Sequence, residues 1–330
     1  MTYPSGWSVL PRLIVKRERW PGGYHAKGIP LVYRGQEVVP DQPVLRLTTA
    51  SEYDKQKERA STKLSPSGIS SSPDLLKSSI GQDIPAGLHG RVVGVTARGG
   101  VVIESHAALI QGILGAGKQA AGVLTMWQPR SPYSAQTIPP GAILVVPGPL
   151  TFGLLHQALN SGVVGVVASS IALRDLEGFL RTDYLQLLKI SDLEQAQEQL
   201  PPLTLLLTEG IGSANMPVHT MNLLTHYQGT IGLLAGATSL THNLFPELVI
   251  SIPVAEIDKN WQVVQPDATL ALGAQVRVCS GQHQGAIGII DYFYSYEQTF
   301  TSGLRTRSVR LRLDDGSFYT VPITLIERIS

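Results

Sequence analysis

Apolar positions in the first fifty residues come in short runs set between turn formers. Residues 9–15 and 29–33 are two such runs, and residues 35–47 hold two more, parted by Pro40-Asp41. Runs this short, rich in Val, Ile and Leu and bounded by Gly, Pro and Asp, predict β-strands. Residues 51–82 break the pattern. They are rich in Ser and Lys, have no apolar period and contain the tract 65–73, Ser-Pro-Ser-Gly-Ile-Ser-Ser-Ser-Pro. Such a stretch buries too little to offset its ordering entropy, so it predicts a mobile insertion. Strands resume at 91–96 and 101–104 around Ala97-Arg98-Gly99-Gly100, a plausible hairpin turn.

From about residue 135 the period changes. Continuous apolar runs at 142–146, 163–168, 203–207, 230–234 and 248–252 alternate with helical patterns. Leu154, Leu155, Ala158 and Leu159 share one helical face. Leu173, Leu176 and Leu180 share another, with Ser170 as expected cap. Ser191 and Glu194 form a capping-box pattern, and residues 218–227 read as a further helix. Alternating strands and helices predict an α/β layer on a mainly parallel sheet. Beyond 256 only short strands and turns are predicted. The expected organisation is multi-domain α/β plus β: a β-rich domain over 1–130 with the insertion 51–82, an α/β domain over 131–255, and a small β module over 256–330.

Composition narrows the function classes. The chain has 330 residues, 43% hydrophobic and 15% charged, enough apolar material for packed cores. The net charge is +1, so any nucleic-acid surface must be local. Cys279 is the only cysteine. It permits no internal disulfide and no cysteine-based zinc site, and it points to a reducing compartment. No signal-peptide pattern opens the sequence, and no apolar run has transmembrane length. A cytoplasmic protein with no membrane partner is expected.

Two resemblances follow from particular motifs. Gly35, Val38 and Gln42, then Ala86, Gly90 and Val92, stand in spacings that resemble barrel-sandwich hybrid (biotinyl/lipoyl-like) domains. Carrier members of that class attach a cofactor to a hairpin-tip lysine. The tip here offers Arg98, so the carrier activity is not transferred. The run Gly273-Ala274-Gln275-Val276-Arg277-Val278, followed by Gly281, Gly285, Gly288 and the pair Ile289-Ile290, resembles the KOW motif of NusG-type transcription factors and large-subunit ribosomal proteins. That resemblance implies a C-terminal SH3-like barrel and a contact with RNA, the ribosome or the transcription machinery.

The candidate chemistry divides between two places. In the tail, Arg277, His283, Tyr294, Tyr296, Arg305, Arg307, Arg310 and Arg312 are candidate nucleic-acid contacts, since cations hold phosphates and aromatic rings stack on bases. The competing reading packs the tail aromatics against a neighbouring domain. In the α/β region, Ser169, Ser170, Thr208, Glu209, Gly210, Gly212 and Ser213 would sit at the carboxyl ends of strands, where open sheets bind ligands. Residues 112–119, Gly-Ile-Leu-Gly-Ala-Gly-Lys-Gln, nearly form a phosphate loop, but Gln119 lacks the hydroxyl that binds magnesium. No catalytic group, metal set or cofactor is called for. The leading expectation is a binding or adaptor protein acting through its tail, with a protein partner expected beside any nucleic acid. The alternatives are a small-ligand sensor or enzyme at the α/β edge, and a structural subunit.

Overall fold

A computed structural model describes residues 8–23, 26–49, 81–127, 138–257, 261–264 and 269–329. The insertion expected over 51–82 lies outside these residues except for its last two positions. The fold is mixed α/β and rich in strand, built on one large mixed sheet with smaller sheets beside it.

The N-terminal strands are β1 (Val9–Arg19), β2 (Ala26–Pro30), β3 (Glu37–Val38), β4 (Pro43–Thr49), β5 (Gln82–Pro85), β6 (Gly90–Val95) and β7 (Val101–Gln111). β2, β4 and β5 form a separate three-stranded sheet. Its Val44, Leu45 and Ile84 close a core with Leu13 and Val15 of β1, Val92 of β6 and Ile103 of β7. The expected turn after β6 forms. Gly99 takes φ +88°, and a Cβ there would stand 2.0 Å from the Gly28 carbonyl oxygen. Only glycine lets this turn lie against β2, where Gly28 N donates to Arg98 O at 3.1 Å.

The middle of the chain supplies β8 (Leu114–Ala116), β9 (Ala120–Met126), β10 (Ala142–Val146), α1 (Phe152–Asn160), β11 (Gly165–Ile171), α2 (Leu173–Leu180), α3 (Tyr184–Leu187), α4 (Leu193–Glu198), β12 (Thr204–Ile211), α5 (Val218–His226), β13 (Ile231–Ala235) and β14 (Glu247–Ser251). The large sheet runs β3-β6-β7-β14-β13-β9-β10-β11-β12-β8, with β1 also on β7. Only β9, β10, β11 and β12 are mutually parallel. β13, β14 and β8 pair antiparallel, so the sheet is mixed, where a mainly parallel one was expected. The link from β13 to β14 contains no helix, and a connection without a crossover returns a strand antiparallel. β9 pairs with β10, and β14 pairs with β7. One hydrogen-bonded sheet therefore spans the expected boundary at 130/131.

Helices cover both faces of the parallel strands. Leu155 and Ala158 of α1 and Leu176 and Phe179 of α2 pack on Leu144, Val166 and Leu205. Leu224 of α5 packs on the other face, over Val145, Val167 and Leu206. Thr151 caps α1, its side chain accepting from Leu154 N. Two expected caps are corrected. Ser170 lies within β11, and α2 starts after Ala172 with no side-chain cap. Asp192, not Ser191, caps α4. No helix among the described residues is long and apolar enough to cross a membrane.

The tail forms β15 (Gln275–Val278), β16 (Ile287–Phe293), β17 (Gln298–Thr299), β18 (Arg305–Thr306), β19 (Ser308–Leu313), β20 (Phe318–Pro322) and β21 (Ile326–Arg328). Five of these make an antiparallel sheet in the order β20-β19-β16-β15-β21, and β17 pairs with β18. The sheet has its own core of Val276, Val278, Ile290, Val309, Leu311 and Val321. Asp314-Asp315-Gly316 turns β19 into β20, with Gly316 at φ +80° and Asp315 Oδ1 accepting from Ser317 N at 2.9 Å.

Candidate nucleic-acid interface and the cleft behind it

Alternation along the tail strands separates core from surface. In β19, Val309 and Leu311 point inward, while Arg310 is half-buried and Arg312 exposed. Arg310 pairs across with Tyr292 and Thr320, and Arg312 with Ile289 and Phe318. Cross-strand partners share a face, so these side chains form one outer surface. A register shift between Ile290 and Tyr292 builds it. That bulge sets both Asp291 and Tyr292 opposite Arg310. Arg310 Nε donates to Asp291 Oδ2 at 2.8 Å, and Nη2 donates to the same oxygen. Its guanidinium lies 5.0 Å from the Phe318 ring centroid and 5.7 Å from that of Tyr292. Phe318 is 53% exposed and Tyr292 46%. Tyr294 meets Tyr292 edge-on at 5.2 Å, and its hydroxyl lies 3.1 Å from Thr320 Oγ1.

The other tail candidates are dispersed. Tyr296 is 83% exposed, before the small β17–β18 hairpin. Arg305 is exposed and pairs with Glu297 at 3.2 Å. Arg307 is exposed, and its carbonyl accepts from Ile323 N. His283 stacks on Tyr319 at 3.9 Å, away from the arginines. Tyr292 and Phe318 belong to the outer face but were not singled out in the sequence, because their place depends on the bulge and on cross-strand register.

Arg277 sits elsewhere. Val276 and Val278 point into the tail core, which turns Arg277 towards the α/β part. Its Nη1 donates to Glu209 Oε2 at 3.2 Å, and its Nε lies 3.3 Å from Glu327 Oε1 without hydrogen-bond geometry. A cleft of about 700 Å³ opens here between Glu209 and Asn215 on one side and Arg277, Cys279, Asp314 and Glu327 on the other. Burial raises the Glu209 pKa; the Arg277 charge opposes the rise and Glu327 adds to it. Burial pushes His219 on α5 down to about 4, with Arg277 reinforcing the shift and Asp314 opposing it. The Cys279 thiol is pushed up, first by burial and then by Glu327, which leaves it a poor nucleophile.

Of the other strand-end candidates, Ser169, Ser170, Thr208 and Gly210 lie within strands, while Gly212 and Ser213 lie in the loop just beyond β12. β11 continues through Ile171 and β12 through Ile211. Ser170 pairs with Gly210 in the ladder, so these two backbones lie inside the sheet. Ser170 Oγ donates to Ala214 O at 2.9 Å. Ser169 Oγ and Thr208 Oγ1 are buried without a partner. Gly210 has φ +79°, Gly212 φ +142°, and Ser213 is exposed. The near-phosphate loop also departs from nucleotide chemistry, because Gln119 leads into β9 rather than a helix. No protein-family model matches the sequence, and no curated protein or solved structure matches it either.

Proposed function

We propose that the tail is a KOW-type module with an SH3-like fold, and that the protein is a nucleic-acid-binding adaptor whose contact surface is the outer face of β16, β19 and β20. One observation carries this reading: Tyr292 and Phe318 flank Arg310 on an exposed strand face, with Tyr294 against Tyr292 and Arg312 on the same face. Rings offer stacking surfaces to bases, and the cations hold phosphates. Asp291 takes up part of the Arg310 charge. The face therefore suits single-stranded RNA bound chiefly by stacking better than duplex bound by charge. The β-rich N-terminal part, similar to barrel-sandwich hybrid domains, and the cytoplasmic setting belong to the same reading.

The test is a gel-shift titration of the full chain with single-stranded RNA at two salt concentrations. Phe318→Ala or Tyr292→Ala is expected to cost roughly 1–3 kcal/mol of binding. The double change Arg310→Ala and Arg312→Ala is expected to flatten the salt dependence by about one phosphate's worth, chiefly from Arg312, because Asp291 already offsets Arg310. Equal binding by the wild type and these variants would overturn the reading. The cleft favours a second reading, small-ligand binding between tail and sheet, because it is roomy and lined by groups of both signs.

A further inference from the structure

Arg19 closes β1 with 3% of its surface exposed. Its Nε donates to Pro85 O at 2.8 Å and its Nη1 to Gln119 Oε1 at 2.9 Å. Among the described residues, Nη2 has no acceptor and no carboxylate pairs with the guanidinium. Gln119 is engaged at both ends of its amide, for its Oε1 also accepts from Trp20 N at 2.8 Å and its Nε2 donates to Glu18 O at 2.9 Å. It holds the guanidinium in place without neutralising it. Burial pushes the Arg19 pKa down to about 9. A guanidinium keeps its proton in proteins, so the direction of the shift reflects an unpaired buried charge, which is costly to hold.

Two cavities flank this point. One, of about 430 Å³, is lined by Arg19, Lys118 and Gln197, with Leu47, Ile84 and Leu203 among its apolar walls. The other, of about 330 Å³, shares Lys118, Gln119 and Gln197 and adds Trp20. Gln197 Oε1 accepts from Gly117 N at 2.6 Å, while its Nε2 is buried with no partner. Trp20 Nε1 is buried and unpartnered as well. Arg19 Nη2, Gln197 Nε2 and Trp20 Nε1 are all donors, and the Lys118 ammonium on both walls adds further N–H groups. In the larger cavity the only carboxylate among the described residues is Glu198, which is exposed. In the smaller one, Glu18 and Glu194 are both taken up by Arg98.

We infer that the larger cavity binds an organic carboxylate with an apolar body, its carboxyl group held among Arg19, Lys118 and Gln197. Unmet donors with no matching acceptor select an anion, and charge-assisted bonds from Arg and Lys are the strong ones. The apolar wall selects a ligand with hydrocarbon to bury. A nucleotide fits less well, since no helix N-terminus follows Lys118 to receive a chain of phosphates.

Calorimetric titration of the full chain with octanoate, 1-octanol and inorganic phosphate tests this. Octanoate is expected to bind, octanol much more weakly, and Lys118→Ala to weaken octanoate about tenfold or more. Arg19→Gln is expected to abolish binding. If that variant does not fold, Lys118→Ala, a change at a half-buried position, carries the test. No octanoate binding at millimolar concentration, or equal binding by Lys118→Ala, overturns the site. Tighter binding of phosphate than of octanoate overturns the carboxylate assignment.

Discussion

His219 and Glu209 give the molecule two opposed responses to acid. His219 has a folded pKa of about 4 against an ordinary 6.5. Between these values the unfolded chain binds the extra proton, so stability falls as pH drops through the window, by about 3 kcal/mol in full. His219→Leu is expected to remove that loss, read from urea melts at pH 7 and pH 5. Glu209 has the opposite sign. Its folded pKa is raised above the ordinary 4.5, so its carboxylate costs stability as pH rises through the raised value. Glu209→Gln should abolish this cost, though it also leaves Arg277 without one partner. Arg277→Ala should be worse, about 3–5 kcal/mol, because Glu209 would keep a buried charge unpaired. Thermal melts of the two variants side by side check the order. A smaller loss for Arg277→Ala than for Glu209→Gln would contradict it.

At the scale of elements, caps and turns carry the separable energies. Thr151 accepts from Leu154 N at the start of α1, and Thr151→Ala is expected to cost about 1 kcal/mol. Gly99→Ala should cost more, roughly 1–3 kcal/mol. Its φ of +88° strains any side chain, and the added Cβ would meet the Gly28 carbonyl. Chemical denaturation measures both. A Gly99→Ala loss no larger than that of Thr151→Ala would mean the β6–β7 turn can lift off β2. The bulge at 290–292 is a device of the same scale, because one extra residue in β16 puts Asp291 and Tyr292 beside Arg310.

The whole molecule is tied together by β7. Its first residues pair with β6, its last with β14, and β1 follows it nearly end to end. A fragment of residues 131–255 would lose β7, β8 and β9, so β10, β12, β13 and β14 would each lose one of two neighbours. We expect that fragment to lack a cooperative melt by circular dichroism, and residues 8–257 to keep one. A cooperative melt for 131–255 would show that the α/β part folds alone. The tail has its own core and meets the rest partly through Arg277 and Glu209. Its removal should therefore leave the large sheet folded, with Glu209 newly exposed.

Much of the local structure was legible in the residues themselves. The apolar runs at 142–146, 163–168 and 203–207 became β10, β11 and β12, and the Leu154–Ala158 face became α1, because burial on a sheet or helix imposes a period that the sequence must carry. The glycines at 281, 285 and 316 marked turns, where they take positive φ. What the sequence could not decide was which strands meet. Pairing depends on contacts between residues far apart in the chain. No local period announces that β14 lies on β7, that Arg277 faces Glu209, or that Arg310 lies between Tyr292 and Phe318. The unpaired charge of Arg19 is the sharpest case. As a residue it is one of several arginines in a strand, and only the closing of β1, β5 and β9 around it leaves a cation buried beside a cavity with no carboxylate paired to it among the described residues.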